Sequence, residues 1–283
     1  MKKNIAFPYF FVAPAVILFA IFTIYPVFDS LILSFQKSTA GVYHFVGFSN
    51  YTRLLGDTIF LKALGNTGLI LIIQVPVMIF LALVLSSALN SQILRFKGFF
   101  RTAYFLPAVT SLVAYAVVFG SLLQSDGLFN NLLKLIGLGS VPWLSDPLWS
   151  KISIIMAVTW RWTGYNMVIF LAALQNISED TYEAADLDGA GKVQKFFYIT
   201  IPQLKPVILF STILSTIGTL QLFDEPLNLT KGGPNDATMT LGLYIYQSGF
   251  QYFDFGYASA MAYVVVLIVA ILSFLQFKVT GAE

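Results

Sequence analysis

The sequence contains no cysteine and one histidine, His44, and only 11% of its 283 residues are charged. The absence of cysteine excludes disulfide bonds, thiol chemistry and cysteine-containing metal sites. A single histidine with no other ligand group near it makes neither a metal site nor a Ser/His/Asp catalytic set. Soluble domains carry about 25% charged residues, so the shortage of charge excludes an ordinary soluble fold.

A phosphate-binding loop is also missing, because the Gly191-Lys192 pair is followed by Val193 where Ser or Thr is required. The chain is therefore not expected to bind ATP by itself. Every Asp and Glu except Asp29 lies at or beyond the end of a predicted membrane span, which argues against intramembrane catalysis by paired acids. We expect no enzymatic activity, no catalytic residue, no metal and no cofactor.

Long hydrophobic runs dominate what is present: 57% of the residues are hydrophobic and the mean hydropathy is +0.78. A membrane-crossing helix needs about 20 apolar residues, and strands of a barrel would be shorter and alternating. The sequence therefore predicts an all-α integral membrane bundle, with residues 1–283 as one transmembrane domain. Its six predicted spans are 7–35, 66–90, 102–124, 152–175, 206–223 and 256–277. The first run is too long for a signal peptide and is kept as a span.

Basic residues predict the orientation, because short basic loops stay in the cytoplasm. The loop at 90–101 carries Arg95, Lys97 and Arg101. Placing this loop inside puts both termini and residues 178–205 inside as well, with nine of the sixteen Lys and Arg residues on that side and six outside. The outer loops are then 37–62, 126–151 and 224–254.

The polar segment 178–205 lies between two predicted spans. Asp180 and Glu183 have the spacing of a capping box, so a short helix should begin near Asp180. Gly189 and Gly191 allow a turn, and Pro202 is expected to end a second helix. A helix-turn-helix that docks on a partner and an ordinary surface helix-turn-helix both fit these residues.

Within this segment, the run Glu183-Ala184-Ala185, followed by Asp188-Gly189-Ala190, Phe196, Ile199 and Pro202, resembles the cytoplasmic EAA loop of binding-protein-dependent ABC importer permeases. Three further segments resemble the carbohydrate branch of that family: 104–107, 171–175 and 232–234. The segment 223–226 ahead of 232–234 resembles its disaccharide or oligosaccharide members. The resemblance covers nearly the whole chain.

The resemblance implies a multi-pass subunit in the inner membrane of a bacterium or archaeon, in contact with lipid. It implies a second homologous permease subunit, a pair of ATP-binding subunits that hydrolyse ATP, an extracytoplasmic solute-binding protein and a sugar substrate, and no nucleic acid. The residues implied to couple to the ATP-binding subunit are Glu183, Ala184, Ala185, Asp188 and Gly189.

Arg161 is nine residues into the predicted fourth span, near the middle of the bilayer. Ionisable groups at that depth usually face a cavity or a partner, although a later start of the span would let Arg161 snorkel to the outer surface. Family resemblance implies solute contacts at six positions on the fourth and fifth spans. These are Arg161, Trp162, Tyr165, Ser215, Thr219 and Leu222. The small and hydroxylated residues among them also suit helix packing.

Three functions remain open. The leading hypothesis is a permease subunit of an ATP-driven carbohydrate importer; the same permease class for an anionic solute, such as a sugar phosphate or uronide, would use Arg161 differently. A stand-alone secondary transporter would be expected to carry intramembrane acids or inverted repeats, and neither is evident.

Overall fold

A computed structural model describes residues 6–39, 41–91 and 94–280. The chain divides into two compact units, one made of Met1–Thr58 and Ile245–Leu267 and the other of Ile59–Tyr244 and Ile268–Glu283.

The first unit begins with one long helix that contains a π-helical turn. A β-hairpin and a short helix follow it. Its elements are α1 (Ala6–Phe19), the turn Ala20–Ile24, α2 (Tyr25–Ser34), β1 (Gln36–Thr39), β2 (Val42–Phe45) and α3 (Ser49–Gly56). The π-helical turn directly precedes Pro26. Proline has no N–H and its ring collides with the carbonyl one turn back, and widening that turn relieves the collision without ending the helix.

Hydrogen bonds hold the predicted connection 37–62 in a folded structure. The strands β1 and β2 pair antiparallel, with Gln36 opposite Phe45. The side chain of Asn50 donates hydrogen bonds to the carbonyl oxygens of Ser34, at 2.8 Å, and Gln36, at 2.9 Å. Because Asn50 is only 4% exposed, these bonds hold α3 against the end of α2 and the start of the hairpin.

The second unit is helical and contains most of the remaining elements; α12 and α13 each have residues in both units. The remaining helices are α4 (Thr58–Asn90), α5 (Lys97–Val109), α6 (Leu112–Leu122), α7 (Leu128–Leu135), α8 (Pro147–Leu174), α9 (Glu179–Leu187), α10 (Lys192–Lys195), α11 (Ile201–Leu220), α12 (Leu241–Tyr246) and α13 (Phe255–Thr280). The π-helical turns Phe196–Thr200 and Pro226–Thr230 lie in the second unit, and the turn Gln247–Gln251 lies in the first.

Four helical stretches among the described residues are long and apolar enough to cross a membrane, and a fifth is counted if α5 and α6 form one bent span. The four are Phe10–Ser34, Thr58–Asn90, Lys192–Leu220 and Phe255–Thr280. Helix α8 is 28 residues long but is not among them. The predicted helical membrane class is confirmed, and the number of six spans stays a prediction.

The predicted third span, 102–124, is broken rather than continuous. Helices α5 and α6 meet at 102°, and Thr110 between them has an extended backbone. Its side-chain hydroxyl donates to the carbonyl oxygen of Pro107 at 2.8 Å. That carbonyl would accept the N–H of Ser111 if the helix continued, so the threonine side chain competes with the helical bond at the bend.

Helix α8 is the centre of the second unit and starts five residues before the predicted boundary at 152. Asp146 caps it by accepting the N–H groups of Leu148, at 2.9 Å, and Trp149, at 3.0 Å. Pro147 occupies the first turn, where a missing N–H costs nothing. Further along, a Cβ at Gly164 would collide with the backbone of Tyr104 on α5, so glycine permits the close packing of α5 on α8.

The main apolar core of the second unit joins three helices. It includes Met78 and Ala82 of α4, Met167 and Phe170 of α8 and Leu204 of α11, each no more than 1% exposed. Helices in a membrane associate through van der Waals packing rather than the hydrophobic effect, so the close contact of these buried side chains holds α4, α8 and α11 together.

Two details predicted for residues 178–205 are wrong. Ser178 is the N-cap residue of helix α9, which begins at Glu179. Asp180 therefore lies inside the first turn, and no capping box forms with Glu183. Pro202 does not end a helix either, because the stretch Lys192–Leu220 is helical throughout. The π-helical turn Phe196–Thr200 precedes Pro202 and accommodates it in the same way as the turn before Pro26.

Candidate functional site

A cavity of about 390 Å³ lies between α4, α8, α11 and the segment that follows α11. All six residues predicted for the substrate path line it: Arg161, Trp162, Tyr165, Ser215, Thr219 and Leu222. The first three lie on α8 at spacings of one and four residues, and the others lie on the end of α11 or just beyond it, at spacings of four and three. These spacings place each set on one helical face. The structure therefore brings both predicted faces to one space; a solute bound there stays a prediction.

Arg161 is the central charge of this cavity. It lies halfway along α8 and is 6% exposed, so it does not snorkel to the surface of the chain. Its Nη1 is 3.5 Å from Oε1 of Glu225, which is 4% exposed. The guanidinium carbon lies 5.2 Å from the ring centre of Tyr115 and 5.4 Å from that of Trp162, within reach of cation–π attraction. Its Nε has no hydrogen-bond partner among the described residues.

The aromatic rings of Trp162 and Tyr165 line the cavity next to Arg161. The rings of Trp162 and Tyr165 meet edge to face, with centres 5.7 Å apart and planes at 89°. The two residues are 37% and 39% exposed, although their neighbours Arg161 and Asn166 are buried. Rings that are part open and part packed present apolar faces together with an indole N–H and a phenol O–H.

A polar network faces these rings from α4 and α11. Oγ1 of Thr219 lies 3.1 Å from Oε1 of Gln74 and 2.8 Å from the carbonyl oxygen of Ser215. The amide nitrogens of Gln74 and Asn166 both approach the sulfur of Met78, at 3.2 Å and 3.6 Å. Asn166 also donates to the carbonyl oxygen of Trp162 at 3.0 Å. A thioether is a weak acceptor, so the buried amide of Gln74 keeps donor capacity for an oxygen that enters the cavity.

Gln74 and Glu225 line the same cavity and were not predicted from the sequence as site residues. A signal for Gln74 existed, since an amide in a long apolar run needs a polar partner inside the bundle. Glu225 carried no such signal, because it follows the end of α11 and is 64 positions from Arg161 in the sequence.

The residues predicted to couple to an ATP-binding subunit form a second site on α9 and the turn after it. Ala185 is the buried residue of α9, whereas Glu183, Ala184, Asp188 and Gly189 are exposed. Gly189 has a φ of +77°, a conformation that residues with a Cβ adopt only at a cost. The prediction of a glycine-dependent turn here is confirmed, and its role in coupling stays a prediction.

Two side-chain contacts tie α9 to the start of the long helix that includes α11. The hydroxyl oxygens of Tyr182 and Thr200 are 3.0 Å apart, and Nζ of Lys195 is 2.5 Å from Oδ1 of Asp186. Since Thr200 ends the π-helical turn before α11, these contacts connect α9 to the helix that carries Ser215 and Thr219.

Apolar side chains are unusually exposed around this second site. Leu187 is 90% exposed, Tyr198 80% and Val193 70%. They stand beside charged residues, among them Glu183, Lys192 and Lys195, which line a groove of about 850 Å³. A polar segment with large apolar side chains left open is typical of a protein-interaction surface.

Comparison with known proteins identifies relatives over the full length. The family described as "Binding-protein-dependent transport system inner membrane component" matches residues 5–279. The lactose transport system permease protein of Rhizobium radiobacter is 52% identical over 272 residues, covering 94% of this chain and 91% of the relative. An arabinooligosaccharides transport system permease protein of Halalkalibacterium halodurans is 39% identical over 278 residues, covering 97% and 88%.

A solved structure has the same fold. A chain of a bacterial ABC transporter involved in the import of the acidic polysaccharide alginate aligns with a TM-score of 0.82 at 25% identity, covering 99% of this chain and 98% of that one. A second structure of a bacterial alginate ABC transporter, in complex with an alginate pentasaccharide-bound periplasmic protein, aligns with a TM-score of 0.81 at 25% identity and covers 99% and 95%.

Proposed function

The chain belongs to the family of binding-protein-dependent transport system inner membrane components, and from this premise we propose that it forms part of the path of an ATP-driven carbohydrate importer. It is a transport permease of the sugar and oligosaccharide class, as its relatives are. In the proposed complex it pairs with a second homologous permease and receives solute from an extracytoplasmic binding protein. A pair of separate subunits hydrolyses ATP.

One observation carries the assignment of the path: the cavity of about 390 Å³ that holds Arg161 and the faces of α8 and α11. Its volume suits a small ligand, for which pockets span about 300–1,000 Å³. Trp162 and Tyr165 supply partly open ring faces, and sugar rings present C–H faces that pack on such surfaces. The amide nitrogen of Gln74 donates to the weak sulfur acceptor of Met78, and a sugar hydroxyl would be a better acceptor.

The proposed topology has six spans, with both termini in the cytoplasm. Helix α8 joins the four candidate spans and the bent α5–α6 pair as a sixth crossing. It is less apolar because it carries Lys151 and Arg161, but Arg161 is buried and paired, which removes the main cost of a charge at that depth. This arrangement places α9 and the 178–205 segment on the cytoplasmic side.

The proposed coupling surface is α9 with Gly189, which docks on an ATP-binding subunit. Its exposed Leu187, Val193 and Tyr198 would be buried there. The Tyr182–Thr200 and Asp186–Lys195 contacts link α9 to α11. Closure of the partner on ATP would therefore move a helix that lines the cavity.

The test is sugar uptake by proteoliposomes that contain the chain with its second permease, ATP-binding subunits and binding protein. We expect uptake of radiolabelled lactose, cellobiose or an arabinose oligosaccharide only when ATP and the binding protein are both present. ATP-independent uptake driven by a proton or sodium gradient would instead identify a secondary transporter. Absence of uptake for every sugar in an assembled, ATP-hydrolysing complex would refute the carbohydrate assignment.

A further inference from the structure

The charges that line the cavity do not amount to a free cationic site. Arg161 is its basic residue, and Glu225 and Asp224 lie on the same wall. Among the described residues, the ion pair of Arg161 is made with Glu225, and the exposed fractions of the two side chains are 7% and 4%. Asp224 is half-buried beside them. One guanidinium therefore shares the cavity wall with two carboxyl groups.

We infer that Glu225 sets the charge selectivity of the path: by occupying Arg161 it makes the cavity accept uncharged carbohydrates and reject carboxylate-bearing ones. The inference rests on the proposed carbohydrate path and narrows it. It identifies a specificity-determining residue outside the six positions on α8 and α11.

The physical reason is that a carboxylate cannot be desolvated beside other carboxylates without a free cation. A buried anion needs a paired charge or several hydrogen-bond donors. Here the guanidinium already holds Glu225 at 3.5 Å, and an incoming carboxylate would also meet Asp224. Like charges brought together in a site disfavour the wrong ligand, a common way to obtain specificity.

An uncharged sugar meets no such obstacle and gains from the same groups. Nε of Arg161 is buried without a hydrogen-bond partner among the described residues. The guanidinium has five N–H donors and spends Nη1 on Glu225. Its free Nε–H can donate to a neutral hydroxyl while the ion pair stays intact.

The experiment measures equilibrium binding by calorimetry to the full chain in lipid nanodiscs. The probes are two matched pairs: lactose with the disaccharide in which galacturonic acid replaces its galactose, and cellobiose with cellobiouronic acid. In the unaltered chain we expect the neutral member of a pair to bind about tenfold tighter or more than the acidic one. This arm needs no variant, so it tests the inference even if a variant fails to fold.

The key variant is Glu225→Gln, which keeps the shape of the side chain and releases the guanidinium. We expect affinity for the acidic disaccharide to rise about tenfold or more, since a charge-assisted bidentate contact becomes available. The readout is the ratio of acidic to neutral affinity measured on the same preparation, because loss of the buried pair can weaken both affinities together. Asp224→Asn is the matched control: it removes one negative charge from the same wall but leaves the ion pair, so acidic binding should improve less than about threefold.

The inference is overturned if the unaltered chain binds acidic and neutral disaccharides equally well, or if Asp224→Asn improves acidic binding as much as Glu225→Gln does. The proposed function is overturned by a different result, in which no neutral disaccharide binds the unaltered chain and none is taken up by the assembled complex. In that case a gain of acidic binding in Glu225→Gln still supports the charge-selectivity inference, because it needs only the released guanidinium. No gain there overturns it.

Discussion

Arg161 and Glu225 stand 64 positions apart in the sequence, yet Nη1 of one lies 3.5 Å from Oε1 of the other inside the second unit. Each is almost fully buried. The pair joins the middle of α8 to the segment after α11, so it closes one end of the cavity as well as balancing its charge. An arginine in the middle of a helix in an apolar chain is thus tolerated because its carboxylate partner is buried with it.

The first prediction concerns this pair. Arg161→Ala leaves the carboxylate of Glu225 buried without its partner, and breaking a buried pair on one side costs about 3–5 kcal/mol. We expect a clear drop in the thermal unfolding midpoint of the chain in detergent. The double variant Arg161→Met with Glu225→Met removes both charges and should recover most of the loss. Equal midpoints for Arg161→Ala and the unaltered chain would show that the pair does not stabilise the fold.

A second prediction concerns the hydroxyl of Thr219. Thr219→Val keeps the side-chain shape but removes the contact with Gln74 and one hydroxyl from the cavity. A hydrogen bond between this hydroxyl and the solute would contribute about 0.5–1.5 kcal/mol. Sugar affinity in transport assays should therefore fall about two- to tenfold.

Thr212→Val is the matched control for that variant. Thr212 is also on α11, and its hydroxyl donates to the carbonyl oxygen of Ile208 at 2.7 Å, away from the cavity lining. Its transport affinity should stay near that of the unaltered chain. Similar losses in both variants would mean that the hydroxyls support α11 rather than the solute.

The family resemblance implied the six positions on α8 and α11, and helical spacing explains why members of each set lie near one another. Arg161 with Tyr165, and Ser215 with Thr219, are four residues apart, and this period alone places each pair on one face. Helical spacing does not predict which distant segments of the chain come into contact. Glu225 follows the end of α11, and the bend that brings it to α8 depends on tertiary packing.

Helix ends were less predictable than helix existence. Asp180 and Glu183 have the spacing of a capping box. In the structure, however, Ser178 is the N-cap residue and Asp180 lies in the first turn of the helix. Pro202 was expected to stop a helix, since proline in a regular α-helix removes one bond and creates a clash. The π-helical turn before it absorbs both effects, and a turn of that kind has no clear sequence signal.

A third prediction tests the contact between α5 and α8. A Cβ added at Gly164 would collide with the backbone of Tyr104, whereas one added at Gly65 of α4 has open space around it. Both substitutions by Ala gain helix propensity, so the difference between them isolates the collision. Overpacking costs about 1–3 kcal/mol. Gly164→Ala should lower the unfolding midpoint and Gly65→Ala should not; the reverse order would contradict the close packing.

A fourth prediction tests the proposed orientation by thiol labelling in a chain that has no cysteine of its own. Ser140 and Ser91 are both exposed, and the proposed topology places Ser140 outside and Ser91 inside. A membrane-impermeant thiol reagent should label Ser140→Cys in intact cells. Ser91→Cys should react only after the cells are permeabilised; labelling in intact cells would overturn the arrangement.

The last prediction separates the shape of the α9 turn from its chemistry. Gly189 has a φ of +77° and no atom within 4 Å of an added Cβ, so a side chain there meets strain in the backbone and not a collision. Leucine in this conformation costs about 1–2 kcal/mol, whereas asparagine, similar in size, tolerates it better than other residues.

Gly189→Leu should therefore reduce the fraction of the chain with a docking-ready turn by about tenfold and lower binding-protein-stimulated ATP hydrolysis by a similar factor. Gly189→Asn should retain most of that activity, and both variants should insert equally, because α9 contributes one buried residue, Ala185, to the fold. If Gly189→Asn impairs coupling as much as Gly189→Leu does, any side chain at this position is harmful. Close approach of a partner, rather than the backbone conformation, is then the reason for glycine. If neither variant changes ATP hydrolysis, α9 is not the coupling element.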